Sequence, residues 1–277
     1  MNYCPYTDQD LEYSKVNSEH IIPLSLGGVN GLEIPVCKKF NSYAGSNIDA
    51  KIGQELVVQS KITQLKVKGH SGKIPAMYYK NAHDAKSGLP LQVRITKDEG
   101  IELRAPYVPD GVAHPKGEEI KFSTTSDLDI WLKYVAKIAL SAGYFTYGEL
   151  FRNNVNTTEL RTIMTKSHDE LIVHEPKIMA HAHYLYLEEF EEVKIYKQIC
   201  KMIGDYSCIG IVHSNNHITI FTGILGVYIG MIRVEANTKE FPNEGKYSWG
   251  HFMSAVNGKL CRTSYYSVIQ VLNEQKN

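Results

Sequence analysis

The pattern of apolar and polar positions changes along the chain. Residues 14–23 (SKVNSEHIIP) and 31–37 (GLEIPVC) are short β-capable runs separated by the turn residues Gly27, Gly28, Asn30 and Gly31. A helix is predicted from about Lys38 towards Val58, with an interruption at Gly45. Strand, turn, strand and helix in this space make a compact ββα unit. It is too small for a core of its own and must lean on the rest of the chain.

From about residue 70 the pattern becomes strand-rich. Residues 74–80, 90–96 and 101–108 read as strands, the last two joined by the turn Lys97-Asp98-Glu99-Gly100. Thr124-Thr125-Ser126-Asp127 is a capping sequence for a long amphipathic helix. Its apolar positions Leu128, Trp131, Val135, Ile138, Ala142 and Phe145 recur at helical spacing, with Lys133 and Lys137 on another face. Asn156-Thr157-Thr158-Glu159 caps a shorter helix to about Met164, and Leu187–Met202 is helical in composition. Residues 208–213 and 217–223 form a hairpin around Ser214-Asn215-Asn216, with 225–234 as the third strand of a meander. Residues 263–273 fit strand and helix equally. The fold class is therefore α+β: a ββα unit over about 1–60, then a mixed α/β region over 61–277 with antiparallel strands and a long helix. A break near Val155 or Gly204 would divide that region into two subdomains.

Composition narrows the function classes. The 277 residues are 43% hydrophobic and 22% charged, which excludes a wholly disordered chain. No apolar run approaches the roughly 20 residues that span a bilayer, and the first fifteen residues lack the regions of a secretory signal. The cysteines (Cys4, Cys37, Cys200, Cys208, Cys261) are odd in number and scattered, against a disulfide framework. A soluble, cytoplasmic protein without a membrane partner is expected. Thirty basic and thirty acidic residues balance, against bulk attraction to nucleic acid. Residues 1–60 carry four Lys/Arg and seven Asp/Glu, while 61–104 carry nine and four. A basic stretch behind an acidic head is compatible with nucleic acid on one face.

The chemistry concentrates in Ser18-Glu19-His20-Ile21-Ile22-Pro23 and in Cys37-Lys38-Lys39-Phe40-Asn41. Neighbours on a strand point to opposite faces, but at a strand end or bulge Glu19 and His20 can serve one site. Asn41 follows Glu19 by twenty-two residues, near the predicted helix start, where a hairpin packed on that helix brings its carbonyl back to the carboxylate. Two hard oxygen ligands suit Mg²⁺ or Mn²⁺ that keeps several waters, with an imidazole beside them. Such a trio fits phosphodiester hydrolysis, with His20 taking the proton of the attacking water. Lys38, Lys39 and Lys51 are candidates for phosphate contact, against the plainer reading of a solvated helix face. His181 and His183 have chelating spacing but no identifiable third ligand. The eighteen tyrosines suit sheet packing first and base stacking second.

These residues carry a resemblance. The acid–His pair of EHIIPLSLGG, the run CKKFN and the glycine of NSYAG resemble the HNH endonuclease family and its ββα-metal site. The resemblance spans roughly residues 1–55. It implies His20 as general base, Glu19 and Asn41 as ligands of Mg²⁺ or Mn²⁺, and DNA as substrate, with RNA left open. A bacterial or phage restriction or defence role comes by the same analogy. One site per chain cuts one strand, so double-strand cleavage calls for a homodimer or two encounters. Glu19 stands where Asp is commoner. The paired Cys-x-x-Cys knuckles of many relatives are half lost, as Cys4-Pro5-Tyr6-Thr7 and Cys37-Lys38-Lys39-Phe40 each keep one cysteine. No structural zinc is expected. Leu32 falls where relatives carry an asparagine that braces the loop of the base, leaving Asn30, Gly27 and Gly28 to orient His20. Two other readings stay open: a DNA-binding module with a decayed site, and a sensor or partner-binding protein whose C-terminal region gates the nuclease.

Overall fold

Alternation of buried and exposed positions, closed by Gly, Asn and Asp turns, gives four antiparallel sheets among the described residues. The computed structural model describes residues 1–69, 72, 74, 76–96, 100–110, 119–122, 127–167, 170, 178–182, 190–242 and 244–275. The chain opens with a hairpin of β1 (Asn2–Cys4) and β2 (Gln9–Leu11), which the hydrophobic pattern did not announce. A second hairpin comes next, of β3 (Val16–His20) and β4 (Glu33–Cys37). Helix α1 (Lys38–Ala44) then runs through a π-turn (Gly45–Asp49) into α2 (Ala50–Ile52), and α3 (Leu56–Gln64) ends the segment. The predicted helix is thus altered at Gly45 without ending there, and it breaks at Gly53.

Beyond it stand β5 (Met77–Asp84), β6 (Pro90–Thr96), β7 (Gly100–Arg104) and β8 (Ile120–Phe122), in spatial order β7-β6-β5-β8. Helix α4 (Leu128–Tyr147) starts at Asp127, whose side chain accepts from Asp129 N. Behind it lie α5 (Glu149–Asn154), α6 (Thr157–Thr165), β9 (Met179–Ala182) and α7 (Glu191–Met202). The last third holds β10 (Cys208–Ser214), β11 (His217–Ile224), β12 (Val227–Glu235), β13 (His251–Val256), β14 (Lys259–Ser264) and α8 (Tyr265–Glu274). The ambiguous tail is therefore a helix, capped by the Ser264 hydroxyl. Strands β9 to β14 form one sheet in the order β14-β13-β10-β11-β12-β9. Helices and antiparallel sheets coexist in separate stretches, the α+β class. The expected turn at 97–99, the capping residues 124–126 and His183 lie outside the described residues.

Period-two alternation on β10, β11 and β12 sends side chains into two different cores. Ile209, Ile220 and Ile232 join a cluster with α4, while Cys208, Phe221 and Met231 join one with α7 and α8. The first cluster continues without a break into the N-terminal unit, through Cys4, Tyr6, Ile21, Leu26, Ile34 and Ile48. Helix α4 is consequently enclosed from Tyr134 to Gly143. Lys137, placed by its spacing on a polar face, is 0% exposed, because that face meets the N-terminal unit instead of water. Among the described residues, no helix is long and apolar enough to cross a membrane.

Candidate active site

Glu19 and His20 are the last two residues of β3, and His20 sits opposite Glu33 of β4. The strand ends there, so the chain turns through Pro23 into a 3-10 turn at Leu24–Leu26. Glu19 faces inward and is 7% exposed, yet both it and His20 line a cavity of about 330 Å³ with Ser18, Asn41 and Asp49. Asn41, Gly45 and Asp49 succeed one another at four-residue spacing and form the helical wall of this cavity. The structure thus brings together the three residues singled out by sequence and adds a second acid.

The imidazole is oriented from its Nε2 side. That nitrogen lies 3.1 Å from Asn30 Oδ1 and 3.1 Å from Glu33 Oε1. Two oxygen acceptors assign the proton to Nε2, which makes Nδ1 the nitrogen able to accept another. Glu33 is itself held by the Ser18 hydroxyl and by Gly31 N (3.4 Å). The sequence reading missed Glu33, whose only signal is the strand register that pairs it with His20.

Behind the cavity lies a buried cluster of three charges. Lys137 Nζ stands 2.6 Å from Glu19 Oε1 in an ion pair. It donates to Asp49 Oδ2 (2.8 Å) and Oδ1 (3.0 Å), and to Ile21 O (3.4 Å). Burial opposes the ammonium, but Asp49 and Glu19 together hold its pKa above the ordinary lysine range. Burial also pushes the Asp49 carboxyl up to about 6, against the pull of Lys137 and with repulsion from Glu19 adding to the rise. One negative charge is left over, so the cluster still favours a cation in the cavity in front of it.

Residues 4–57 match the HNH endonuclease family. No curated protein and no solved structure matches the chain. The match points to nuclease activity, a hydrolysis of nucleic acid, in general terms for the N-terminal unit, and stops before residues 58–277.

Within the matched segment, the two loop glycines have separate reasons. Gly27 adopts φ +76, the left-handed region. A Cβ on Gly28 would fall 1.7 Å from Ile22 O, so only glycine lets the loop close on itself. The loop is further tied by Gly28 N to Pro23 O (3.0 Å) and by Ser207 Oγ to Leu26 O (2.7 Å). Lys38 donates to Ser14 O (2.7 Å), while Lys39 and Lys51 are exposed; none of the three lines the cavity. The half-lost knuckles meet as a packing contact in which Cys37 N donates to Cys4 Sγ (3.2 Å) and Cys4 is buried.

Among the described residues, no group of three or more His, Cys, Asp or Glu is placed to hold a metal ion. The donor set nevertheless fits a hard cation that keeps much of its water. Asn41 gives its Nδ2 hydrogens to Asn17 Oδ1 (3.0 Å) and Ser18 O (3.3 Å), which reserves the carbonyl Oδ1 for a ligand. Glu19 supplies a carboxylate to the same cavity.

Proposed function

We propose that the protein is a metal-dependent HNH endonuclease that hydrolyses phosphodiester bonds in DNA, with His20 as general base and Glu19 and Asn41 holding a Mg²⁺ or Mn²⁺ ion. One observation carries this reading: Glu19, His20 and Asn41 line a single cavity inside the segment that matches the HNH family. When bound, such a cation supplies charge neutralisation at the scissile phosphate and the leaving oxygen.

The remaining roles belong to the chain. His20 accepts the proton of the attacking water at Nδ1. Asn30 and Glu33 fix the ring through Nε2, and the Glu33 carboxylate steadies the imidazolium that forms. Asn17 and Ser18 keep the Asn41 amide from rotating. In this reading residues 1–60 carry catalysis, while 61–277 contribute recognition, dimerisation or both. A second reading, in which 61–277 restrains the nuclease, draws on Lys137, a cation from that region paired with the Glu19 carboxylate.

The test is nicking of supercoiled plasmid in Mg²⁺, Mn²⁺ or EDTA. Wild type is expected to nick only with metal, and His20→Ala to lose about 10²–10⁴-fold in rate, the usual weight of a general base. Equal nicking by His20→Ala would remove the assigned base. Silence of the folded wild type, with activity appearing in Lys137→Met, would favour the restrained form.

A further inference from the structure

The HNH cavity does not end at its own walls. Ser25, Asp49 and Ala50 are shared with a neighbouring cavity of about 610 Å³, which extends along α2 and α3 to Tyr78 on β5. Tyr78 in turn is the wall shared with a third cavity of about 330 Å³ on the face of the sheet β7-β6-β5-β8. Three neighbouring cavities, linked by shared lining residues, therefore lead from His20 to a sheet face outside the segment that matches the HNH family.

The far end of this row of cavities has a definite chemistry. Tyr78, Arg94 and Glu102 lie side by side on three adjacent strands, because the register pairs Tyr78 with Arg94 and Arg94 with Glu102. Tyr78 is 60% exposed, and Arg94 Nε donates to its hydroxyl (3.1 Å), with the guanidinium carbon 6.0 Å from the ring centre. Arg94 and Arg104 each lie 3.2 Å from Glu102, so two guanidiniums share one carboxylate and the cluster stays cationic. Arg104 is 76% exposed. An outward aromatic ring offers its face to a planar group, and fork-shaped cations beside it suit phosphates.

We propose that these cavities form a groove that carries one unpaired nucleic-acid strand to the HNH site, with a base stacked on Tyr78 and the flanking phosphates on Arg94 and Arg104. The proposal rests on the nuclease reading for what lies at the other end. An unpaired strand is favoured over a duplex because bases inside a duplex are already stacked and keep their faces from a protein ring. The basic segment 61–104, with nine Lys/Arg against four Asp/Glu, supplies the sign of charge that such a strand needs in a chain whose total is zero.

The test is binding, kept apart from cleavage. Full-length His20→Ala protein in EDTA would be titrated into a fluorescein-labelled 20-nucleotide DNA strand and into its duplex, read by anisotropy. Adding Tyr78→Ala should weaken single-strand binding roughly tenfold, the scale of one lost base–aromatic stack, with a smaller effect on the duplex. Tyr78→Phe, which keeps the ring, should bind like the parent. Arg104→Ala should flatten the log–log salt dependence of single-strand binding by about 0.7, one phosphate contact. The proposal is overturned if Tyr78→Ala binds the strand as the parent does, if strand and duplex weaken equally, or if the folded parent binds neither. Plasmid nicking by protein with His20 intact separates the two readings. Nicking with no role for Tyr78 in binding removes the groove alone, and Tyr78-dependent binding without nicking removes the nuclease alone.

Discussion

Two clusters of three charges stand at the two ends of this row of cavities. Behind the His20 cavity, Glu19 and Asp49 share Lys137, with side chains 0–10% exposed. On the sheet, Arg94 and Arg104 share Glu102, with side chains 37–76% exposed. The shared partner lies at 2.6–2.8 Å in the buried cluster and 3.2 Å in the exposed one, so the shorter ion pairs are the buried ones. The carboxylates nonetheless respond in opposite directions. The hydrogen bond from Arg94 and the charge of Arg104 hold Glu102 below the usual range, whereas burial lifts Asp49 to about 6 despite a direct bond to an ammonium. Loss of water outweighs the ion pair in the first cluster, and pairing outweighs the slight desolvation in the second. Only the buried cluster can therefore act on stability, and only the exposed one can exchange its partner for a phosphate.

The largest break in this contrast is Lys137→Met, which keeps the side-chain length and removes the charge. Two buried carboxylates lose their counter-ion, and the expected cost is about 3–5 kcal/mol, read from urea denaturation in EDTA. A loss near that of an ordinary surface change would mean that water reaches the cluster. The next effect turns on pH. Asp49 titrates near 6 in the folded chain and near the ordinary ~3.9 once unfolded. Between those values the folded state holds a proton that the unfolded state has released. This group's contribution is thus full below about pH 4, is lost as pH rises through 6, and amounts to about 3 kcal/mol. Asp49→Asn should erase that slope, measured as the wild-type minus variant difference in unfolding free energy at pH 4.5 and pH 7. The smallest effect is expected for Glu102→Gln at the exposed cluster. Its urea midpoint should stay with wild type, while DNA binding tightens at low salt and the gain fades at high salt. A shifted midpoint would show that the sheet relies on the acid.

The legibility of the two clusters differs for a related reason. Glu19, His20 and Asn41 stand in short runs of fixed spacing, so their convergence on one cavity is a local matter of hairpin and helix. Asp49 was within reach of the same logic, eight residues beyond Asn41 on the same helical face, but a lone acid near a glycine reads as solvated surface. Glu33 needed the register of β3 against β4, which alternation of apolar residues does not fix to one residue in so short a hairpin. Lys137 was legible as helical and as lying off the apolar stripe, but its burial was not. Its face is decided by what packs on it, and that partner lies 88 residues earlier at Asp49. Strands β13 and β14 went unread because their pattern is irregular, with β14 exposed at several positions along the sheet edge. The tail became a helix through a hydroxyl cap that its periodicity did not reveal.

The site's long-range ties also set an order in time. Glu19, His20 and Asp49 precede Lys137 in the chain, and the cation that pairs with the two acids is made 88 residues after Asp49. At ordinary elongation rates that is roughly 4–18 s later. The hydroxyl that pins the His20 loop comes later still, since Ser207 lies 181 residues beyond Leu26. A nascent chain thus carries Glu19, His20 and Asn41 before it carries Lys137 and Ser207, the later residues that tie their surroundings to the rest of the fold.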